Sequence, residues 1–206
     1  MLLLEDDYVG ELVYQKKTLT PLKALDKNNR VIYLKSFSKI LMPGLRLGFM
    51  IVPDHLMDSI SNTKEATDIS TSALIQKAFD VYLRNGQWSK QLSNMKKIYY
   101  KRFALMIDLL NKHLPRKVNF YVPKGGILFW IELPKGYDAR DFYNYVDQSK
   151  LAFVPGDMFY YNQQKSNAFR LSITAVGDKE IEKGVVLLCD YLTKFLNAPH
   201  KRLPIL

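Results

Sequence analysis

Residues 35–52 read K-S-F-S-K-I-L-M-P-G-L-R-L-G-F-M-I-V and hold the side chains best suited to chemistry. Ser36, Ser38 and Lys39 stand together, the chain breaks at Pro43-Gly44, and Arg46 opens the next apolar run. The preceding R-V-I-Y-L reads as a buried strand and L-R-L-G-F-M-I-V as a second. Lys39 then falls in the connection between two buried strands, where loss of water disfavours the ammonium form and favours Schiff-base chemistry. The two serine hydroxyls just before it, and the guanidinium of Arg46 after it, suit a phosphate held beside the amine. The residues alone also allow a solvated lysine in a serine-rich turn.

Two other places offer partners. Leu2-Leu3-Leu4 is a buried-strand pattern that runs into Glu5-Asp6-Asp7 and then Tyr8. These acids fall at the strand end where open α/β sheets bind ligands, although helix capping or exposure would explain them too. Arg170 lies inside the apolar run A-F-R-L-S-I-T. A guanidinium there is costly unless paired, and its planar fork matches a carboxylate, so a ligand or a structural salt bridge must answer it.

The elements that position these groups follow from periodicity. A strand at residues 2–4 needs neighbours, which suggests a piece of something larger. Residues 10–30, with Thr18, Pro21 and Asp26, read as a loop with a short helix and a turn. Pro53 ends a strand and Asp54 is a candidate N-cap for the helix that follows. Residues 70–86 and 88–114 carry apolar residues every three or four positions, and the second run would span roughly 40 Å as a helix. From Val118 the character changes to short strands: V-N-F-Y-V-P, a Lys124-Gly125-Gly126 turn, then I-L-F-W-I-E-L-P as an antiparallel partner. Residues 138–147 form an amphipathic helix capped by Asp138, L-A-F-V-P-G-D-M-F-Y a strand and loop, and residues 178–196 a closing helix.

Composition narrows the class. The chain has 206 residues, 48% hydrophobic and 24% charged, enough for a sizeable core. No apolar run approaches the ~20 residues that span a bilayer, and residues 1–5 are too short for a signal peptide's apolar region. The single Cys189 excludes an internal disulfide, fits a reducing cytoplasm, and reads as a small core hydrophobe. The net charge is +10, but the lysines are spread, and the densest group, between residues 90 and 102, lies on a helix with an apolar face. No helix-turn-helix, zinc spacing, P-loop or nucleophile elbow is present, and His55, His113 and His200 are far apart.

S-F-S-K-x-L-x-P-G-L-R-L-G-F resembles the lysine segment of fold-type I pyridoxal 5'-phosphate (PLP) enzymes, the aspartate-aminotransferase superfamily. E-D-D-Y-V-G-E-L at residues 5–12, with R-V-I-Y-L-K-S-F-S-K, resembles more narrowly the aminotransferase-like domain of MocR-type regulators in the GntR family. Free-standing aminotransferases more often carry a proline before that tyrosine, which Asp7-Tyr8 lacks. P-x-G-G-x-x-F-W-x-x-L-P, N-M-K-K-I-Y-Y-K-R and F-R-L-S also match the superfamily, so the resemblance runs with gaps over most of the chain.

The resemblance implies an α/β fold: part of a large, mainly parallel-sheet PLP domain (1–86), a long interdomain helix (87–115) and a small α+β domain (116–206). It implies Lys39 as the catalytic lysine and Asp6 on the pyridine nitrogen. Tyr8 would bond the 3-oxygen, with Ser36, Ser38 and Arg46 on the phosphate and Arg170 on the α-carboxylate of an amino acid. It implies a homodimer, with DNA reached only through an upstream winged helix, and a family N-terminal half that this sequence does not contain. A half-site should bind PLP weakly and be a poor catalyst. Two functions compete: an amino-acid-sensing effector domain and a class I/II aminotransferase.

Overall fold

The computed structural model describes residues 1–14, 19–162 and 164–198. Thr18, His200 and the last residues of the 116–206 segment lie outside the described residues. Two compact units divide the chain, Met1–Ile98 and Tyr99–Leu206.

In the first unit, β1 (Leu3–Asp7), β2 (Val31–Ser36) and β3 (Gly48–Ile51) form a sheet in that order. β1 and β2 are parallel, with Asp6 beside Leu34 and Asp7 beside Lys35. β2 and β3 are antiparallel, with Ser36 beside Gly48. The crossover from β1 to β2 includes the short helix α1 (Leu22–Leu25). Its free N–H groups at Leu22 and Lys23 donate to the Glu5 carboxylate at 2.8 Å each, so β1 itself caps α1. Asp26 closes the following turn by accepting from the N–H groups of Val31, Arg30 and Asn28, which hold its carboxyl down at about 2.

A 3-10 turn at Asp54–Leu56 leads into α2 (Met57–Asp68). Asp54 does not cap it as expected, because its carboxylate accepts instead from Asn29 Nδ2 at 3.1 Å. α3 (Ala73–Arg84) is capped by Ser72, whose hydroxyl accepts from the Ile75 N–H.

The flanking strands are not buried, contrary to their composition. All four residues of β3 are exposed, and Leu4 of β1 is 65% exposed. In this sheet, among the described residues, only β2 has a neighbour on each side, and apolar composition shows that a strand seeks cover, not that it has found it.

α4 (Gln87–His113) begins in the first unit and ends in the second, where Tyr99, Phe103, Met106, Leu109 and Leu110 form its buried stripe. The second unit's sheet has the order β4 (Asn119–Tyr121), β5 (Leu128–Glu132), β7 (Ala168–Ser172), β6 (Val154–Pro155), with every pair antiparallel. α5 (Ala139–Tyr145) starts at Asp138, whose carboxylate accepts from the Arg140 N–H at 2.9 Å. α6 (Asp178–Asn197) closes the unit. Phe142 of α5 is fully buried, its ring centroid 5.3, 5.7 and 5.1 Å from those of Phe153, Phe169 and Phe195, which ties α5, β7 and α6 into one core. Cys189 is buried in α6, and burial pushes its thiol up to about 11, in keeping with an inert core position.

Candidate functional site

The first unit gathers most of the sequence-derived candidates at one end of its sheet. Asp6 and Tyr8 come where β1 ends, Ser36, Ser38 and Lys39 where β2 ends, and Arg46 just before β3 begins. Side chains alternate along a strand, so Asp6, Leu34 and Ser36 share one face of the sheet. The register also makes Gly48 obligatory: a Cβ there would lie 2.5 Å from the Lys35 carbonyl oxygen.

The lysine turn is held by its neighbours. Phe37 is buried, with its ring 5.9 Å from Phe49, 4.5 Å from Phe79 and edge-on to Trp88 at 5.5 Å. Ile40 is fully buried, and its carbonyl accepts from Gln91 Nε2 at 3.1 Å. Ser36 Oγ accepts from the Ser38 N–H at 3.3 Å, which tightens the turn between them. Because Phe37 and Ile40 take the inward positions, Lys39 is exposed, which corrects the expectation of a buried amine. Asp6 is likewise exposed, on the alternating face that also carries exposed Leu4. Arg46 ends a 3-10 turn at Pro43–Leu45 with φ 47°, a left-handed conformation that costs a non-glycine residue about 1 kcal/mol.

The buried lysine of this segment is Lys35, which sequence reasoning passed over. It is 7% exposed, and its ammonium lies 2.6 Å from Glu11 Oε2 and 3.1 Å from Asp7 Oδ2. Tyr33 donates its hydroxyl to Asp7, and the Gly10 N–H donates to Asp7 Oδ1 at 2.6 Å. Burial raises the Asp7 carboxyl, but the bonds from Tyr33, Lys35 and Gly10 outweigh it and hold the group below its ordinary range. Burial first, then the bond to Asp7 and the charges of Asp7, Glu11 and Glu5, push the Tyr33 phenol far above its ordinary value. The cluster lies on the face opposite Asp6 and Ser36, and it pins the loop that bears Tyr8. A signal was present: Tyr33 and Lys35 alternate inside a strand, and a lysine on a covered face requires carboxylates.

In the second unit Arg170 stands in the middle of β7, beside Trp130 of β5 and Val154 of β6. Its Nε is buried without a hydrogen-bond partner, and its guanidinium lies over the Phe159 ring at 4.7 Å from the centroid. Among the described residues it makes no salt bridge, so the structural-pair explanation finds no partner here.

Among the described residues no group of three or more His, Cys, Asp or Glu is placed to hold a metal ion, and no helix is long and apolar enough to cross a membrane. The donor set does fit one cofactor class. An amine, two hydroxyls, a guanidinium, a carboxylate and a phenol at one sheet end are the complements of an aldehyde, a phosphate, a ring nitrogen and a ring hydroxyl, the groups of PLP.

Known proteins bear on this directly. The family model for aminotransferase class I and II matches residues 1–187. Aromatic-amino-acid aminotransferase 1 of Thermococcus litoralis is 31% identical over 189 residues, covering 92% of this chain and 45% of its own length. The uncharacterized HTH-type transcriptional regulator YdfD of Bacillus subtilis is 28% identical over 183 residues, covering 89% of this chain and 38% of its own. The solved structure of LysN, an α-aminoadipate aminotransferase from Thermus thermophilus complexed with N-(5'-phosphopyridoxyl)-L-leucine, superposes with a TM-score of 0.89 at 32% identity. That likeness covers 95% of this chain and 51% of LysN. The chain thus spans about half the length of the aminotransferases it matches, and less of the regulator. It belongs to the class I and II aminotransferase family, whose members similar to it include both enzymes and HTH-type regulators.

Proposed function

We propose that this chain is a PLP-binding, aminotransferase-like domain that serves, within its whole protein, as the amino-acid-sensing effector part of a GntR/MocR-type transcription regulator. The observation that carries the PLP reading is the gathering of Asp6, Ser36, Ser38, Lys39 and Arg46 at one end of one sheet. When bound, PLP supplies an electrophilic carbon for amines and an electron-withdrawing ring. Lys39 provides the amine that meets that carbon and takes or returns the proton at the amino acid's Cα. Asp6 keeps the ring nitrogen protonated, Tyr8 donates to the ring oxygen, and Ser36, Ser38 and Arg46 bind the phosphate. Arg170 binds the amino acid's carboxylate. Residues 1–86 form part of the cofactor domain, 87–115 the interdomain helix and 116–206 the small domain. The protein works in the cytoplasm as a homodimer and reaches DNA through a winged helix outside this chain.

The regulator reading is supported by Asp7-Tyr8, which lacks the intervening proline, and by the Bacillus subtilis relative. The 31% identity to the Thermococcus litoralis enzyme supports the second reading, a class I/II aminotransferase passing an α-amino group to a 2-oxo acid. Two measurements on the full gene product separate them. The regulator reading expects DNA affinity that changes with an added amino acid and no sustained transfer of amino groups. Steady turnover with a 2-oxo acid, and DNA affinity indifferent to amino acids, would establish the enzyme instead.

A further inference from the structure

Arg170 is half-buried among apolar neighbours, with a buried Nε that has no hydrogen-bond partner and no salt bridge among the described residues. What meets the guanidinium is an aromatic face: Phe159, 4.7 Å from Cζ to ring centroid. Phe159 in turn packs edge-on against Trp130, at 5.7 Å, and Trp130 is the residue of β5 directly beside Arg170. Phe159 thus touches both the guanidinium and the residue paired with Arg170 across the sheet.

The segment that carries Phe159 is fixed from both sides. It is the 3-10 turn Gly156–Phe159, which follows β6 directly. A Cβ on Gly156 would run into the Ala168 carbonyl oxygen and lie 2.5 Å from Ser166 Oγ, so only glycine lets this turn lie so close to β7. One residue on, Asp157 is clamped by Arg140 of α5, with Nε and Nη2 each donating to a carboxylate oxygen at 2.9 Å. A bidentate fork of this kind fixes the position as well as the charge. The ring is therefore delivered to the guanidinium by a braced turn, although it is itself 47% exposed and contributes little to the core.

We propose that Phe159 is the positioning residue for Arg170, held in place by the Arg140–Asp157 fork, and that its ring sets the guanidinium plane for a carboxylate. The proposal rests on the reading of Arg170 as the carboxylate-binding residue. A long arginine has many rotamers, and an aromatic face against its guanidinium removes many of them without taking a hydrogen bond from its donors. The ring thus lowers the ordering cost of a bidentate contact and makes none with the ligand's carboxylate itself.

The test uses 3-phenylpropanoate, which has a carboxylate and no amine, against its neutral amide, by calorimetry and by the ¹⁵N signal of Arg170 Nε. The unaltered protein and Phe159→Tyr are expected to prefer the carboxylate and to shift the Nε signal. Phe159→Leu and Asp157→Asn are expected to weaken carboxylate binding about tenfold while leaving amide binding unchanged. Arg170→Gln abolishes the preference. Should Arg170→Gln remove the preference while Phe159→Leu and Asp157→Asn keep it, the positioning role is wrong and the carboxylate reading stands. A preference that survives Arg170→Gln, or is absent from the unaltered protein, overturns both.

Discussion

The Lys35 ammonium lies 2.6 Å from the Glu11 carboxylate, and this contact anchors the loop after β1 to the central strand of its sheet. With Asp7 at 3.1 Å on the same nitrogen, removal of the lysine leaves two carboxylates facing one another without a cation. Lys35→Met is expected to destabilise the first unit by about 3 kcal/mol, the lower end for breaking a buried ion pair, and Glu11→Gln by about half as much. Urea unfolding followed by Trp88 fluorescence in a Trp130→Phe background measures this, since Trp88 packs on Phe37 of that unit. A change below about 0.5 kcal/mol, the size typical of surface substitutions, would show that the triad is incidental.

The same cluster sets the pH profile. Asp7 is held below its ordinary 3.8 in the folded chain because the bonds from Tyr33, Lys35 and Gly10 outweigh burial. Its contribution is therefore complete above about pH 5 and fades as pH falls through 4 and lower. Tyr33 is held above its ordinary 10.0 by burial, by its bond to Asp7 and by nearby negative charge. The unfolded chain loses that proton first, so stability declines as pH rises from about 10 toward the folded value. The Trp88 unfolding midpoint should form a plateau between roughly pH 5 and 9.5, and Tyr33→Phe should flatten the alkaline limb that Tyr33 adds. An unchanged alkaline limb in Tyr33→Phe would place its origin elsewhere.

Gly48→Ala tests the register beneath the site. The added Cβ would sit 2.5 Å from the Lys35 carbonyl oxygen, a backbone atom that cannot swing away. A loss of about 2 kcal/mol is expected in the first unit, with β3 amides exchanging faster while the β1–β2 pair stays protected. An unaffected exchange pattern would contradict the register of β2 against β3.

Arg46→Gly separates fold from function. The φ of 47° suits glycine better than arginine, so stability should hold or rise by up to about 1 kcal/mol. Phosphate-dependent binding of PLP should weaken at the same time, measured as the ratio of affinities for PLP and pyridoxal. A variant that loses stability and keeps that ratio would remove Arg46 from the phosphate site.

How much of this was legible in the sequence differs by residue. Helix periodicity located α3, α4 and α6 to within a few residues, because each has a continuous apolar stripe that needs only local spacing to be seen. The antiparallel pair around Lys124-Gly125-Gly126 was legible for the same reason, since turn residues punctuate it. Burial in the first unit was not. Leu4 and Met50 are as apolar as any core residue, yet strand cover is a property of the sheet and not of the strand. Sequence alone does not separate Lys35 from Lys39, because both sit in one serine-rich segment. The structure tells them apart by alternation in β2 and by the inward anchors Phe37 and Ile40. Arg170 was legible because an arginine inside an apolar strand demands an explanation, whereas its contact with Phe159 joins residues distant in sequence and has no local signature.

The site on the first unit is tested most directly by asking which lysine PLP finds. The protein is incubated with PLP, reduced with borohydride, digested and mapped by mass spectrometry, with Arg46→Ala and Ser38→Ala alongside. The account predicts label concentrated on Lys39 well above every other lysine, falling toward the background level in the two variants. Label spread evenly over the exposed lysines, or a Lys39 share that neither variant changes, would contradict it.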